Sequence, residues 1–126
     1  MLGRESFLEI GTYDGVTISK LARAHPDKEF VAIDDFSEGN KQNFLQNNEG
    51  NENVTFIEMD SHTALIFLTE EKRTFDLIFV DGEHTYEAVI GDFKLSYPLL
   101  SEKGTLAFHD CTHKEVRKGI DEGRLC

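Results

Sequence analysis

The sequence predicts an α/β protein with a doubly wound, mainly parallel sheet that carries helices on both faces. Two observations support this prediction. Short apolar runs alternate with helical patterns along the chain, and each run is followed by an acidic residue or a glycine turn. Strands that alternate with helices at this spacing form right-handed βαβ units, and such units build a parallel sheet.

Length and composition limit the kind of protein. The 126 residues correspond to one domain, 1–126, and no apolar run is long enough to span a bilayer. The net charge of −11 argues against a nucleic-acid partner, because binding phosphates needs a basic face. No secretory leader is recognisable at the start. Two cysteines make no disulfide framework, so we expect a cytoplasmic protein without a membrane partner.

Five apolar runs predict the strands. They are short and are bounded by polar residues or glycines, which suits strands buried in a parallel sheet. In chain order they cover residues 7–10, 30–33, 54–57, 75–80 and 105–108. The fourth run is the most hydrophobic in the chain, and it stops at Asp81 and Gly82.

Helical periodicity between these runs predicts the helices. The first helix ends near Pro26, because proline disfavours continuation. The expected apolar positions are Val16, Ile18, Leu21 and Ala22 in the first helix, Phe44 and Leu45 in a short second, and Tyr86, Val89, Ile90 and Phe93 in a fourth over 85–95. The third helix contains Ala64, Leu65, Phe67 and Leu68. Pro98 and a turn at 101–104 close the fourth helix, and a mostly polar helix begins near Lys114.

Polar residues collect where the predicted strands end. They lie at 9–15, at Asp34, at 60–61, at Asp81 and at 109–110. A single acid after a strand is usually a turn former or a helix cap. Five such positions on one rim indicate a binding site, because ligands of open α/β sheets bind beyond the carboxyl ends of the strands.

The glycine turn after the first strand suits a nucleoside ligand. Gly11 allows a sharp turn, and Gly15 allows close packing or close approach of a ligand where the helix begins. Asp34 lies 19 residues after Gly15, where a carboxylate accepts both hydroxyls of a ribose or caps a helix. Tyr13 stands where a dinucleotide fingerprint needs its second glycine, which argues against a pyrophosphate and hence against an NAD-dependent dehydrogenase.

Two sequence segments resemble a known family. Residues 9–15, Glu-Ile-Gly-Thr-Tyr-Asp-Gly, resemble the first motif of class I S-adenosylmethionine-dependent methyltransferases, which have a Rossmann-like fold. The pattern Val-Asp-Gly-x-His-x-Tyr at 80–86, followed by Phe-His-Asp at 108–110, is similar to the small-molecule O-methyltransferase branch. That branch includes macrolide-sugar methyltransferases and relatives in cephalosporin biosynthesis.

The resemblance implies roles for these residues in binding the cofactor. Glu9 and Gly11 would hold the amino-acid end of S-adenosylmethionine, and Asp34 would take the ribose. Asp60 and Ser61 would flank the adenine, and Tyr13 would pack either on the cofactor or on the strand. The predicted cofactor-binding residues are therefore Glu9, Gly11, Tyr13, Gly15, Asp34, Asp60, Ser61 and Asp81.

The resemblance also implies a metal and a general base. Relatives often bind Mg²⁺ through an Asp after strand four and an acidic pair after strand five, which Asp81 and Asp110 match. His109 stands where relatives often carry an acid, and imidazole favours a transition metal over Mg²⁺. His84 matches the general base of the sugar methyltransferases, although it could instead cap a helix or lie in solvent. The other histidines, His25, His62 and His113, are expected at the surface.

Methyltransferases of this class usually have two further C-terminal strands, which this chain does not reach. The resemblance therefore leaves two readings open: an O-methyltransferase acting on a small hydroxylated molecule, or a binding module without turnover. It also leaves the edge of strand five uncovered, from which we expect a homodimer, because uncovered sheet edges associate.

Overall fold

The computed structural model describes residues 5–82, 85–109 and 114–124. Its strands form one five-stranded parallel sheet in the order β3-β2-β1-β4-β5. The strands are β1 (Ser6–Ile10), β2 (Glu29–Asp34), β3 (Val54–Glu58), β4 (Phe75–Val80) and β5 (Leu100–Phe108). The helices are α1 (Val16–Ala24), α2 (Lys41–Asn47), α3 (Ser61–Glu70), α4 (Tyr86–Ser96) and α5 (Lys114–Arg124), with one 3₁₀ turn at Tyr97–Leu99. The predicted fold class is confirmed.

The core consists of two apolar layers, one on each face of the sheet. Ile18 and Ala22 of α1 and Phe44 of α2 pack against Phe30 and Ala32 of β2. On the opposite face, α3 packs its buried side chains against the central strands, in a cluster that contains Leu8, Ile10, Val31, Ile33, Ala64, Leu65, Leu68 and Ile78. Because successive strand residues point to opposite faces, one sheet supplies both layers.

Two predicted apolar anchors are exposed, so their assignment to the core was wrong. Val16 is 48% exposed at the start of α1 and Leu45 is 45% exposed. Phe67, in the predicted third helix, is 44% exposed as well. Neighbouring helical residues point about 100° apart. Since Phe44 and Leu68 face the sheet, Leu45 and Phe67 beside them point toward solvent.

The predicted turn at 101–104 is also wrong, because these residues belong to β5. The strand begins at Leu100, opposite Phe75, and an irregularity in register follows before Leu77 pairs with Thr105. A Cβ on Gly104 would lie 2.9 Å from the carbonyl oxygen of Phe75. The register with β4 passes from Leu100 to Thr105, so the polar segment between them is an irregular, bulge-like stretch of the edge strand.

Among the described residues no helix is long and apolar enough to cross a membrane.

Candidate functional site

A cleft lies at the carboxyl ends of the strands. Its walls come from the segments that follow β1, β2, β3 and β4, together with part of α4. Of the eight predicted cofactor-binding residues, Gly11, Tyr13, Asp34, Asp60 and Ser61 line it. The lining residues that the structure describes include five acids and no lysine or arginine. The cleft therefore favours a cationic ligand over a phosphorylated one.

Gly11 forms the floor of the cleft. Its φ of +83° is a left-handed conformation that glycine adopts without strain. Its N–H donates to the carbonyl of Ile33 at 2.9 Å, and a Cβ at this position would lie 2.2 Å from the carbonyl oxygen of Asp81. The sharp turn after β1 thus depends on glycine, as the sequence predicted.

Gly15 packs against α2. It has a φ of +71° and precedes α1, which has no side-chain cap. A Cβ on Gly15 would lie 2.3 Å from the buried ring of Phe44. Of the two roles predicted for this glycine, close packing is therefore the one the geometry supports, and contact with a cofactor stays a prediction.

Asp34 holds two turns of backbone beside the cleft. Its Oδ2 accepts from the N–H of Tyr13 at 2.7 Å and its Oδ1 from the N–H of Phe36 at 2.8 Å. Tyr13 and Phe36 have positive φ values of 52° and 58°, which side-chain-bearing residues seldom adopt. Each carboxylate oxygen has a second acceptor site, so this structural role leaves capacity for ribose hydroxyls.

Glu9 is a buried carboxyl beneath the glycine turn, with 4% of its surface exposed. Burial raises the pKa of Glu9 from 4.5 to about 7; the hydroxyl of Thr12 lowers this pKa, and the charges of Asp81 and Asp34 raise it further. Among the described residues, neither Glu9 Oε1 nor Thr12 Oγ1 has a hydrogen-bond partner of normal geometry. Such orphaned atoms are costly, and a ligand that bonds them relieves the cost.

The wall formed by α3 and α4 contains a cluster that the sequence did not reveal. Asp92 is only 1% exposed, and its Oδ1 lies 2.8 Å from Ser61 Oγ and 3.2 Å from His62 Nε2. His62 was predicted as a surface residue, and its side chain is 43% exposed but lines the cleft. One sequence feature could have revealed this cluster: Asp92 lies three residues after Val89, which puts an acid on the predicted inner face of the helix.

Asp60 caps α3, with its Oδ1 accepting from the N–H of Thr63 at 3.1 Å. Contact with the side chain and the N–H of Thr63 lowers the pKa of Asp60. The residue therefore stays ionised at neutral pH beside the cleft. A helix cap and a ligand contact are compatible, since the second oxygen has acceptor capacity of its own.

Asp81 and His109 meet at the ends of β4 and β5, where Asp81 Oδ1 lies 3.0 Å from His109 Nδ1. Asp110, the third predicted metal ligand, lies outside the described residues, and so does His84. Within the described ranges no group of three or more His, Cys, Asp or Glu could hold a metal ion. The metal site and the general base stay predictions.

A parallel sheet with a glycine turn after β1, a carboxylate at the end of β2 and a cleft across the strand ends is typical of doubly wound domains that bind a nucleoside cofactor. A family model described as a methyltransferase domain matches residues 8–111, and the chain belongs to this family. Family and fold together thus mark it as an S-adenosylmethionine-dependent methyltransferase domain.

A viral protein is similar to this chain in sequence. The uncharacterized protein R132 of Acanthamoeba polyphaga mimivirus is 31% identical over 112 residues, which are 83% of this chain and 51% of R132. The chain thus spans about half the length of this relative.

Solved structures share the fold at low sequence identity. CalS11, a TDP-rhamnose 3'-O-methyltransferase of calicheamicin biosynthesis, has a TM-score of 0.74 at 15% identity, covering 94% of this chain and 61% of CalS11. SMU.776, a putative methyltransferase complexed with SAH, has a TM-score of 0.73 at 17% identity over 94% of this chain and 35% of SMU.776. Fibrillarin of Methanococcus jannaschii, a pre-rRNA processing protein, has a TM-score of 0.72 at 16% identity, covering 97% of this chain and 54% of fibrillarin.

Proposed function

We propose that this chain binds S-adenosylmethionine in the cleft and transfers its methyl group to a hydroxyl oxygen of a small molecule. The observation that carries the proposal is the charge of the cleft: five acids and no lysine or arginine among the described lining residues. S-adenosylmethionine carries a cationic sulfur and a cationic amino group, whereas NAD carries a pyrophosphate. The electrostatics of the lining therefore favour the methyl donor.

The described residues fit this cofactor. Glu9 and Thr12 do not line the cleft themselves, but they flank the lining residues Ile10 and Gly11 in the chain. Their buried Oε1 and Oγ1 atoms would suit the amino-acid end, since a buried acceptor gains most from a cationic donor. Asp34, Asp60 and Ser61 line the cleft, where Asp34 would offer its oxygens to the ribose hydroxyls and Asp60 and Ser61 would border the base. When bound, S-adenosylmethionine supplies an electrophilic methyl group.

A small hydroxylated acceptor is supported by the sequence and by one neighbour. CalS11 is by its title a sugar O-methyltransferase. The fibrillarin neighbour processes rRNA, but this chain has a net charge of −11, which opposes binding to phosphates. His84, three residues after Asp81, would accept the hydroxyl proton as the oxygen attacks the methyl carbon. A divalent ion held by Asp81 and Asp110, with His109 beside them, would lower the pKa of that hydroxyl.

Calorimetric titration with S-adenosylmethionine and with NAD tests the binding step. We expect micromolar affinity for the first and none for the second. Asp34→Asn removes one acceptor oxygen and the charge, so we expect about tenfold or more loss of affinity, a conservative figure for a charged hydrogen bond. The matched control is Asp27→Asn, an exposed acid in the α1–β2 turn outside the cleft. Binding of NAD instead would contradict the proposal.

Product formation with a panel of hydroxylated sugars and phenols, with and without Mg²⁺, tests turnover. Replacing His84 by alanine is expected to lower the rate about 100-fold with cofactor affinity nearly intact, because general-base catalysis contributes that much. His25→Ala serves as the matched histidine control. A chain that binds the cofactor yet forms no product with any acceptor would be the binding module instead.

A further inference from the structure

Three polar residues of the cleft wall form one linked unit, which we call the α3–α4 cluster: Ser61, His62 and Asp92. A single oxygen, Asp92 Oδ1, lies 2.8 Å from the hydroxyl of Ser61 and 3.2 Å from Nε2 of His62. The Asp92 side chain is only 2% exposed. A buried carboxylate is costly unless it is paired, so these two contacts determine where Ser61 and His62 stay.

Gly91, the residue before Asp92, leaves room for the imidazole of His62 against α4. A Cβ on Gly91 would lie 2.5 Å from Cε1 and 2.6 Å from Nε2 of the ring. Only glycine lets the ring lie this close to α4. Glycine is unfavourable in the middle of a helix, and a buried acid is costly. α4 nevertheless has both side by side: Gly91 leaves room for the ring of His62, and Asp92 contacts it.

The position of the cluster along the cleft points to the base of the cofactor. In the sheet, β2 lies between β1 and β3. Asp34 at the end of β2 therefore lies between the glycine turn that follows β1 and the start of α3 that follows β3. If Asp34 takes the ribose and the glycine turn takes the amino-acid end, the base lies beside Ser61 and His62.

We propose that His62 contacts the base of the bound nucleoside and that Asp92 is a positioning residue, which acts through His62 and Ser61. The inference rests on the proposed function. Donation from Nε2–H to Asp92 fixes the ring, and the exposed part of the ring borders the cleft as a flat wall for a planar purine. A fixed wall binds better than a mobile one, because ordering of the side chain has occurred before the ligand arrives.

A double-mutant cycle tests this division of roles. S-adenosylhomocysteine and adenosine, which need no turnover, are titrated into the wild type, His62→Ala, Asp92→Asn and the double variant. We expect His62→Ala to weaken both ligands about tenfold, the scale of one base–aromatic contact. Asp92→Asn should weaken both about threefold in the wild-type background and by less in the His62→Ala background, because part of its effect acts through His62. Independent losses that multiply in the double variant would overturn the positioning role.

Gly91→Ala is the second variant, and it keeps the test valid if Asp92→Asn does not fold. The added methyl group would displace the imidazole while alanine favours the helix, so we expect weaker binding of adenosine without a lower melting temperature. His25→Ala is the control and should bind like the wild type. If the wild type binds and both His62→Ala and Gly91→Ala bind with the same affinity, this inference is overturned and the proposed function is not. No binding by the wild type would overturn the proposed function itself.

Discussion

At the scale of single residues, Glu9 links pH to stability. Burial raises its pKa to about 7, whereas the ordinary value is 4.5. The folded protein therefore binds more protons than the unfolded chain between these two values, and the free energy of unfolding falls as the pH rises through this window. The full loss is on the order of 3 kcal/mol, since each unit of pKa corresponds to about 1.4 kcal/mol.

We predict that Glu9→Gln abolishes this decline, because glutamine does not ionise. The measurement is urea unfolding of the wild type and the variant at pH 5 and pH 8, with the exposed Glu102→Gln as control. The wild type and the control should lose stability over this range while Glu9→Gln changes much less. Parallel curves for all three proteins would show that Glu9 is not the titrating group.

Some site residues could be predicted from the sequence because their cause is local. Gly11 must turn the chain sharply after β1, and Asp34 stands at the fixed end of β2, so spacing alone locates them. Asp92 and His62 meet only because α3 and α4 pack side by side, 30 residues apart in the chain. No local pattern predicts that contact, so the sequence places His62 at the surface and indicates no role for Asp92.

At the scale of secondary structure elements, the contact between α1 and α2 depends on one glycine. Gly15 and Gly50 both have positive φ, at 71° and 82°. A Cβ on Gly15 would lie 2.3 Å from Phe44, whereas a Cβ on Gly50 would meet nothing within 4 Å. The two sites thus share the backbone strain of an alanine substitution and differ only in the clash.

We predict that Gly50→Ala lowers the free energy of unfolding by about 1 kcal/mol, the cost of a left-handed alanine. Gly15→Ala should lower it by about 3 kcal/mol, because overpacking adds about 1–3 kcal/mol. Chemical denaturation of both variants measures the difference. Equal losses would mean that Phe44 moves aside freely and that α2 is not fixed by this contact.

The sequence predicted β1 to β4 well, and β5 only in its second half. The first four strands consist of apolar runs, and the same residues that form each run also pair with the neighbouring strands. In β5 the segment 101–104 is polar, and it lies in the irregularity between the pairs Phe75–Leu100 and Leu77–Thr105. It belongs to the strand because paired residues precede and follow it, which its own polar residues do not reveal, so local propensity indicated a turn.

At the scale of the whole molecule, the long strand β5 lies at one edge of the sheet, and among the described residues only β4 pairs with it. Nine residues of strand with one free edge can add a strand from another copy. The net charge of −11 opposes self-association, but the exposed pair Glu102 and Lys103 offers both signs along this edge. We therefore predict a homodimer that pairs β5 with β5.

Two charge-reversal variants distinguish the effect of pairing at the edge of β5 from the effect of a more negative net charge on dimerisation. Lys103→Glu and Lys20→Glu both make the net charge of −11 more negative by two units, yet Lys103 lies on β5 and Lys20 on the exposed side of α1. Sedimentation over a hundredfold range of concentration should show a weaker dimer for Lys103→Glu and little change for Lys20→Glu. Equal weakening in both would assign the effect to net charge, and a wild type that stays monomeric throughout would refute the pairing of β5 with β5.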